Sequence, residues 1–338
     1  MQAFHIHITG LVQGVGFRPW VHKLASKYNL DGYVNNGLDG VHIYCSGKEE
    51  YVTEFYQSIV QNPPSQALIT SHHKTAFHSI LKKGFFIQKS NINQPVQLLI
   101  TPDISLCDDC RREIKSTNNK RYQYPFTTCL NCGPRYSITN QFPYDRENTT
   151  MDSLKQCKSC LNEYEDINDL RYFSQTNSCP DCCIEMHLYE KDGTEIKFHQ
   201  KKYLDTLINL LKEGKILAVK GIGGYHLLCD ATNEQSIIKL RERKFRPSKP
   251  FAVLYADIEM AVADLAISPL ELTALKDRSA PIVLCSLKSF PENRICTNNI
   301  APKLNSIGAM LPSSAILQLI ADKSVSYTHL TLPTKRIV

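Results

Sequence analysis

The sequence predicts an α+β protein built from several domains. Three observations lead there: an opening segment ordered strand, helix, strand, strand, helix, strand; a cysteine array that repeats after 50 residues; and an α/β pattern beyond residue 200. A chain of 338 residues with 42% apolar content can bury more than one core. Its net charge of +6 comes from charges of both signs without a long basic block, a balance that tolerates nucleic acid or anionic substrates as partners and demands neither. The start "MQAFHIHITGL" lacks a basic stretch followed by an apolar one, and 18 uncharged apolar residues run together nowhere. A soluble cytoplasmic protein without signal peptide or membrane span is the expectation.

Residues 4–9, "FHIHIT", alternate with the period of a half-buried strand, and "PWVHKLASKYNL" after Arg18 spaces its apolar residues for a helix. "GYVNN" and "VHIYCSG" predict two strands around a turn at 37–40, then a helix over about 49–61, and "FFIQK" predicts the last strand. That order is the split βαβ arrangement, so residues 1–91 are expected to form a ferredoxin-like sandwich. "SNINQP" reads as a linker.

Residues 101–185 are rich in cysteine and tyrosine and too short of aliphatic runs to bury an ordinary core. A shift of 50 residues lays Cys107, Cys110, Cys129 and Cys132 on Cys157, Cys160, Cys179 and Cys182, and Arg121-Tyr122 on Arg171-Tyr172. Two copies of one unit follow. Each C-x-x-C turn brings two thiolates to one side of a metal, and two turns close a tetrahedral four-sulfur shell suited to zinc. Eight sulfurs make two closed sites with a structural role, where metal binding replaces the missing apolar core. Scattered buried thiols or redox pairs would need four coincidences of spacing; an iron-sulfur cluster competes more seriously, though a duplicated four-thiol unit fits zinc better. Cys183 could replace Cys182, and an interleaved pairing of the four turns stands beside the local one. Cys45, Cys229, Cys285 and Cys296 read as ordinary small residues.

Residues 200–323 resume an α/β pattern: a helix near 202–213, the strand "ILAVK", the glycine-rich turn "GIGGYH", a helix through "NEQSIIKLRERK", and strands in "PFAVLYA" and "APIVLCS". Lys220 ends a strand just before the glycine turn, and Lys244, Arg246 and Lys249 cluster around "KFRPSKP". Such cations can neutralise a triphosphate. A solvated basic helix end explains the cluster equally well.

The stretch "GLVQGVGFRPW" suggests another anion site. Gly14 and Gly16 let the backbone turn successive N–H groups toward one point, the following helix N-terminus adds positive potential, and Arg18 can close the cradle with a bidentate guanidinium. Asn36, at the end of the next strand, offers an amide able to orient a water. Together "GLVQGVGFRPW" and "GYVNNGLDG" resemble the acylphosphatase signature. That resemblance implies phosphate binding by Arg18, water positioning by Asn36, and donors from the Gln13, Gly14, Val15, Gly16 and Phe17 backbone. The chemistry is electrostatic stabilisation and positioning, without a covalent nucleophile.

Taken in order, this start, the array containing "TTCLNCGPRYS", and "KGIGGYHLLCDA…LRERKFRPSKPFAV" resemble the HypF carbamoyltransferases of nickel-iron hydrogenase maturation, over residues 1 to about 320. The third part is similar to the YrdC nucleotide-binding fold. The resemblance implies a ferredoxin-like acylphosphatase domain at 1–91, a tandem zinc-finger domain at 101–185, and a partial YrdC-like α/β domain at 200–323. Implied ligands are two structural Zn2+ ions, with carbamoyl phosphate and ATP as substrates; Lys220, Lys244, Arg246 and Lys249 fall to the nucleotide. The implied activity is ATP-dependent, carbon-sulfur bond-forming carbamoyl transfer to the C-terminal cysteine of HypE, for synthesis of the cyanide ligands. Family members continue into a large final domain, whereas residues 324–338, "SVSYTHLTLPTKRIV", read as a non-family tail on a C-terminally truncated chain. The expectation is zinc binding and acyl-phosphate hydrolysis without carbamoylation of HypE. A zinc-dependent interaction module of the DnaJ type, without catalysis, is the competing reading. Nucleic-acid binding is weaker, because the basic residues gather in one nucleotide-sized cluster.

Overall fold

The computed structural model describes residues 2–93, 95–182, 184–199, 202–293, 295–324 and 330–332. Cys183 and most of the 324–338 tail therefore lie outside the described residues. Two compact units emerge, Met1–Asp103 with Thr128–Cys182, and Ile104–Thr127 with Cys183–Val338.

The first unit begins with strand β1 (Gln2–Leu11), helix α1 (Phe17–Lys27), strands β2 (Asp31–Gly37) and β3 (Gly40–Gly47), helix α2 (Glu49–Gln61), and strands β4 (Leu68–Phe77) and β5 (Phe85–Ile87). The sheet runs β4-β1-β3-β2-β5. Its antiparallel part is the ferredoxin-like order; β5 adds a short parallel edge beside β2. The last strand of the sandwich is thus β4 and not "FFIQK". β4 escapes a periodicity reading because "LITSHHKTAF" is an edge strand with no buried residue, so neither face has to be apolar.

Alternation along the strands sends Ile6, Ile8, Val34, Val41 and Ile43 to one face, where they pack with Phe17, Val21 and Ala25 of α1 and Val52, Phe55 and Ile59 of α2. The opposite face carries His5, His7, His42 and Tyr44. Gly14 and Gly16 both take positive φ, 71° and 73°, in the turn between β1 and α1. Pro19 fits the first turn of α1, where its missing N–H would lack a helical partner anyway.

The duplication is visible in the backbone. Helix α3 (Asp108–Lys115) in the second unit and helix α4 (Lys158–Glu165) in the first begin one residue after Cys107 and Cys157. Within each copy the chain returns through a left-handed residue, Gln123 (φ 55°) or Phe173 (φ 60°). That residue's N–H donates to the helix C-terminus, to Ile114 O and Tyr164 O, both at 2.9 Å.

The rest of the second unit contains α5 (Tyr203–Lys212), β6 (Leu217–Lys220), β7 (Tyr225–Leu228), α6 (Glu234–Arg243), β8 (Ala252–Leu254), α7 (Ile258–Asp264), β9 (Leu265–Ala266), α8 (Pro269–Leu275), β10 (Val283–Leu287), α9 (Thr297–Ile300), β11 (Ser306–Met310), α10 (Ala315–Ser324) and β12 (Leu330–Leu332). β6 and β7 form a hairpin, and the larger sheet runs β12-β8-β11-β10-β9. Ile237, Leu240, Phe251, Val253, Tyr255 and Ile307 make its core. Among the described residues no helix is long and apolar enough to cross a membrane.

Candidate active site and metal centres

Arg18 lies in the first turn of α1 with its side chain 8% exposed. One Nη lies 2.7 Å from Asp145 Oδ1, and the other donates to Tyr144 O at 3.0 Å. The guanidinium also sits 5.7 Å from the centre of the Phe173 ring. A buried arginine needs such partners, because an unpaired charge out of water costs several kcal/mol, roughly. Asn36 is 1% exposed on β2, and neither its amide nitrogen nor its oxygen has a hydrogen-bond partner. Leaving both groups unpaired costs about 1–3 kcal/mol each, a strain that a bound molecule would relieve.

Arg18 and Asn36 line one small cavity together with Gln13, Gly14, Gly16 and Phe17. Val15 is buried in the sandwich core instead, so its contribution is limited to its backbone. Gln13 acts by its side chain: Nε2 donates to Gly37 O at 2.7 Å and Gly40 O at 3.0 Å, and Oε1 accepts from Tyr144 N at 3.1 Å. It braces the loop against the turn that follows Asn36.

The cavity's far wall comes from residues that sequence reasoning did not select: Arg135, Tyr144 and the run 173–176. Arg135, 3% exposed, donates from Nη2 to Cys129 O (3.1 Å) and Leu130 O (2.9 Å), and its Nε donates to Gly14 O. It thereby ties a C-x-x-C turn to the cradle. Burial pushes the Tyr144 phenol above its ordinary pKa, so it faces the site uncharged. The available signal was local: Arg135 lies within the quoted motif "TTCLNCGPRYS", but nothing in it points to Gly14, 121 residues earlier.

Among the described residues stand two four-cysteine clusters, grouped locally as Cys107, Cys110, Cys129, Cys132 and as Cys157, Cys160, Cys179, Cys182. The interleaved pairing is thus excluded, and Cys182 occupies the position for which Cys183 competed. In the second cluster the Sγ separations are 3.5 Å (Cys157 to Cys179), 3.6 Å (Cys160 to Cys182) and 3.9 Å (Cys179 to Cys182). Four thiolates at about 2.3 Å from a tetrahedral zinc stand roughly 3.8 Å apart, so these residues fit the ion. No apolar side chain dominates this small core, which consists of the cysteines themselves.

In the second unit, Lys220 ends β6 with its ammonium 5.1 Å from the centre of the Tyr225 ring. Lys244 caps α6, and Lys244 and Lys249 are exposed. Arg246 is engaged locally: it donates to Lys249 O (3.1 Å) and Pro250 O (2.6 Å) and stacks over Phe251. Arg241, absent from the sequence expectations, grips the same loop through Arg246 O (2.7 Å) and Lys249 O (3.1 Å).

Comparison with known proteins finds three family matches along the chain. Residues 4–87 match the acylphosphatase family, residues 106–139 and 157–189 the HypF finger, and residues 209–336 the Sua5, YciO and YrdC family described as telomere recombination. Carbamoyltransferase HypF of Rhodobacter capsulatus is 40% identical over 95% of this chain and 42% of its own length. The acylphosphatase of Pseudothermotoga lettingae is 44% identical over 21% of this chain and 80% of its own. A full-length HypF crystal structure in the phosphate- and nucleotide-bound form superposes with a TM-score of 0.91 at 36% identity, covering 98% of this chain and 42% of that one. The chain spans about two fifths of the length of these HypF relatives.

Proposed function

Because the chain belongs to the HypF carbamoyltransferase family and carries an acylphosphatase domain, we propose that the Arg18–Asn36 cavity hydrolyses carbamoyl phosphate, the first step in making a carbamoyl group for transfer. Arg18 and the N–H groups of the 13–17 loop hold the phosphate. Asn36 orients a water whose oxygen attacks phosphorus; the bond from phosphorus to the acyl oxygen breaks, and carbamate leaves with the electron pair. The water's proton passes to the phosphate. Fixed donors aimed at the charge that develops on the phosphoryl oxygens supply the rate gain. The unpaired, buried Asn36 amide, lining the same cavity as Arg18, carries this reading.

Enclosure supports the choice of substrate. The cavity is walled on one side by the finger segment, and carbamate is too unstable in water to be released freely. ATP activation of carbamate falls to the YrdC-like unit, with Lys220, Lys244 and Lys249 offered to the triphosphate and Arg246 shaping their loop. Carbamoylation of the HypE C-terminal cysteine is the activity of the whole protein in this reading. Zinc, held by the two four-cysteine clusters, supplies folding free energy and no chemistry on the substrate.

Phosphate release from carbamoyl phosphate tests the proposal. Arg18→Ala and Asn36→Ala are each expected to lower kcat by about 100-fold or more. Rates equal to the parent chain's would discard the catalytic role of this cavity.

A further inference from the structure

On the sheet face opposite the helices, β1 and β3 pair His7 directly with His42. Their rings stack at 4.3 Å and 5°. Asp39, in the turn between β2 and β3, faces both: Oδ1 lies 2.9 Å from His42 Nε2 and Oδ2 lies 3.4 Å from His7 Nε2. The three side chains are 23%, 9% and 17% exposed for His7, His42 and Asp39, half-sheltered and still reachable from solvent.

The geometry points to a divalent transition-metal site formed by His7, His42 and Asp39. Two imidazole nitrogens and a carboxylate gather within 4.8 Å of one another. Ligand atoms about 2.0–2.2 Å from one ion stand roughly 2.9–3.5 Å apart; the separation of His42 Nε2 from Oδ1 falls in that range, and that of His7 Nε2 from Oδ2 does so for a carboxylate bound through both oxygens. Imidazole with carboxylate suits nickel, zinc or iron rather than calcium or magnesium.

Two neighbouring features match a built site. His5 Nε2 lies 3.0 Å from His42 Nδ1, so with His42 Nε2 on a metal its Nδ1–H donates to His5, which fixes the tautomer and ring direction. Gly37 leaves the necessary room, since a Cβ there would stand 2.6 Å from Asp39 Oδ1 and 2.8 Å from His42 Nε2. Gly37 also follows Asn36, and Gln13 grips the carbonyls of Gly37 and Gly40 from the other side. A bound ion would therefore fasten the turn next to the water-orienting amide.

Nickel added to the untagged, zinc-loaded full chain tests the site. Calorimetry should find one Ni2+ per chain beyond the zinc, and nickel X-ray absorption should show nitrogen and oxygen neighbours with imidazole shells and no sulfur. His7→Asn, His42→Asn and Asp39→Asn should each weaken nickel binding by about 100-fold with zinc content unchanged. His7→Asn is decisive for folding, because its side chain is the most exposed of the three. A purely hydrogen-bonded network would bind no stoichiometric nickel; that result, sulfur neighbours, or unchanged affinity in His7→Asn would overturn the assignment.

Discussion

Arg18, proposed to bind the substrate phosphate, already holds a carboxylate, Asp145 at 2.7 Å. The pair neutralises a buried guanidinium and also sets a negative charge beside the incoming anion. Asp145→Asn should therefore act in two directions. Stability falls by about 2 kcal/mol, since a charge-assisted bond becomes a neutral one. Inorganic phosphate should then raise the melting temperature more than it does in the parent chain, because the anion replaces the lost charge. Equal phosphate-induced shifts would show that Asp145 does not compete. Arg18 and Asn36 were legible because loop glycines, a helix start and a strand end are local features. Asp145, Tyr144 and Arg135 were not, because their partners lie more than 100 residues away and no periodicity records such a contact.

Helix α4 is eight residues long, too short to be stable alone, and the second finger around it has sulfur where other domains have leucine. With zinc bound as proposed, its integrity rests on metal. Chelation should release two zinc ions per chain, and Cys157→Ser should release one. Since residues 173–176 wall the Arg18 cavity, zinc loss should also lower phosphate release. Full activity in zinc-free protein would separate the finger from catalysis. Elements with a buried face were legible: α1, α2 and α6 fall within a few residues of their expected positions because an apolar stripe specifies each. β4 was missed for the converse reason. In the second unit, short elements such as α7, α8 and β9 have seven residues or fewer, which is below the window in which periodicity is detectable.

At the scale of the molecule, the proposed phosphate and nucleotide sites fall in different compact units. Their effects on stability should separate accordingly. Arg18→Ala should abolish the melting-temperature rise given by phosphate and keep that given by ATP; Lys220→Ala should weaken the ATP response and keep the phosphate one. Loss of both responses in either variant would refute the assignment of the ligands.

The bond from Arg18 to Tyr144 O and its ion pair with Asp145 also set an order of events during synthesis. The ribosome delivers residues 4–87 first, and at about 5–20 residues per second the roughly 60 residues between Ile87 and Asp145 take about 3–12 s to follow. For that interval the nascent sandwich has its arginine and its glycine loop but not the segment that walls them. Enclosure of the proposed reaction thus waits on translation of the later segment and, with zinc in the finger, on the cell's supply of that metal.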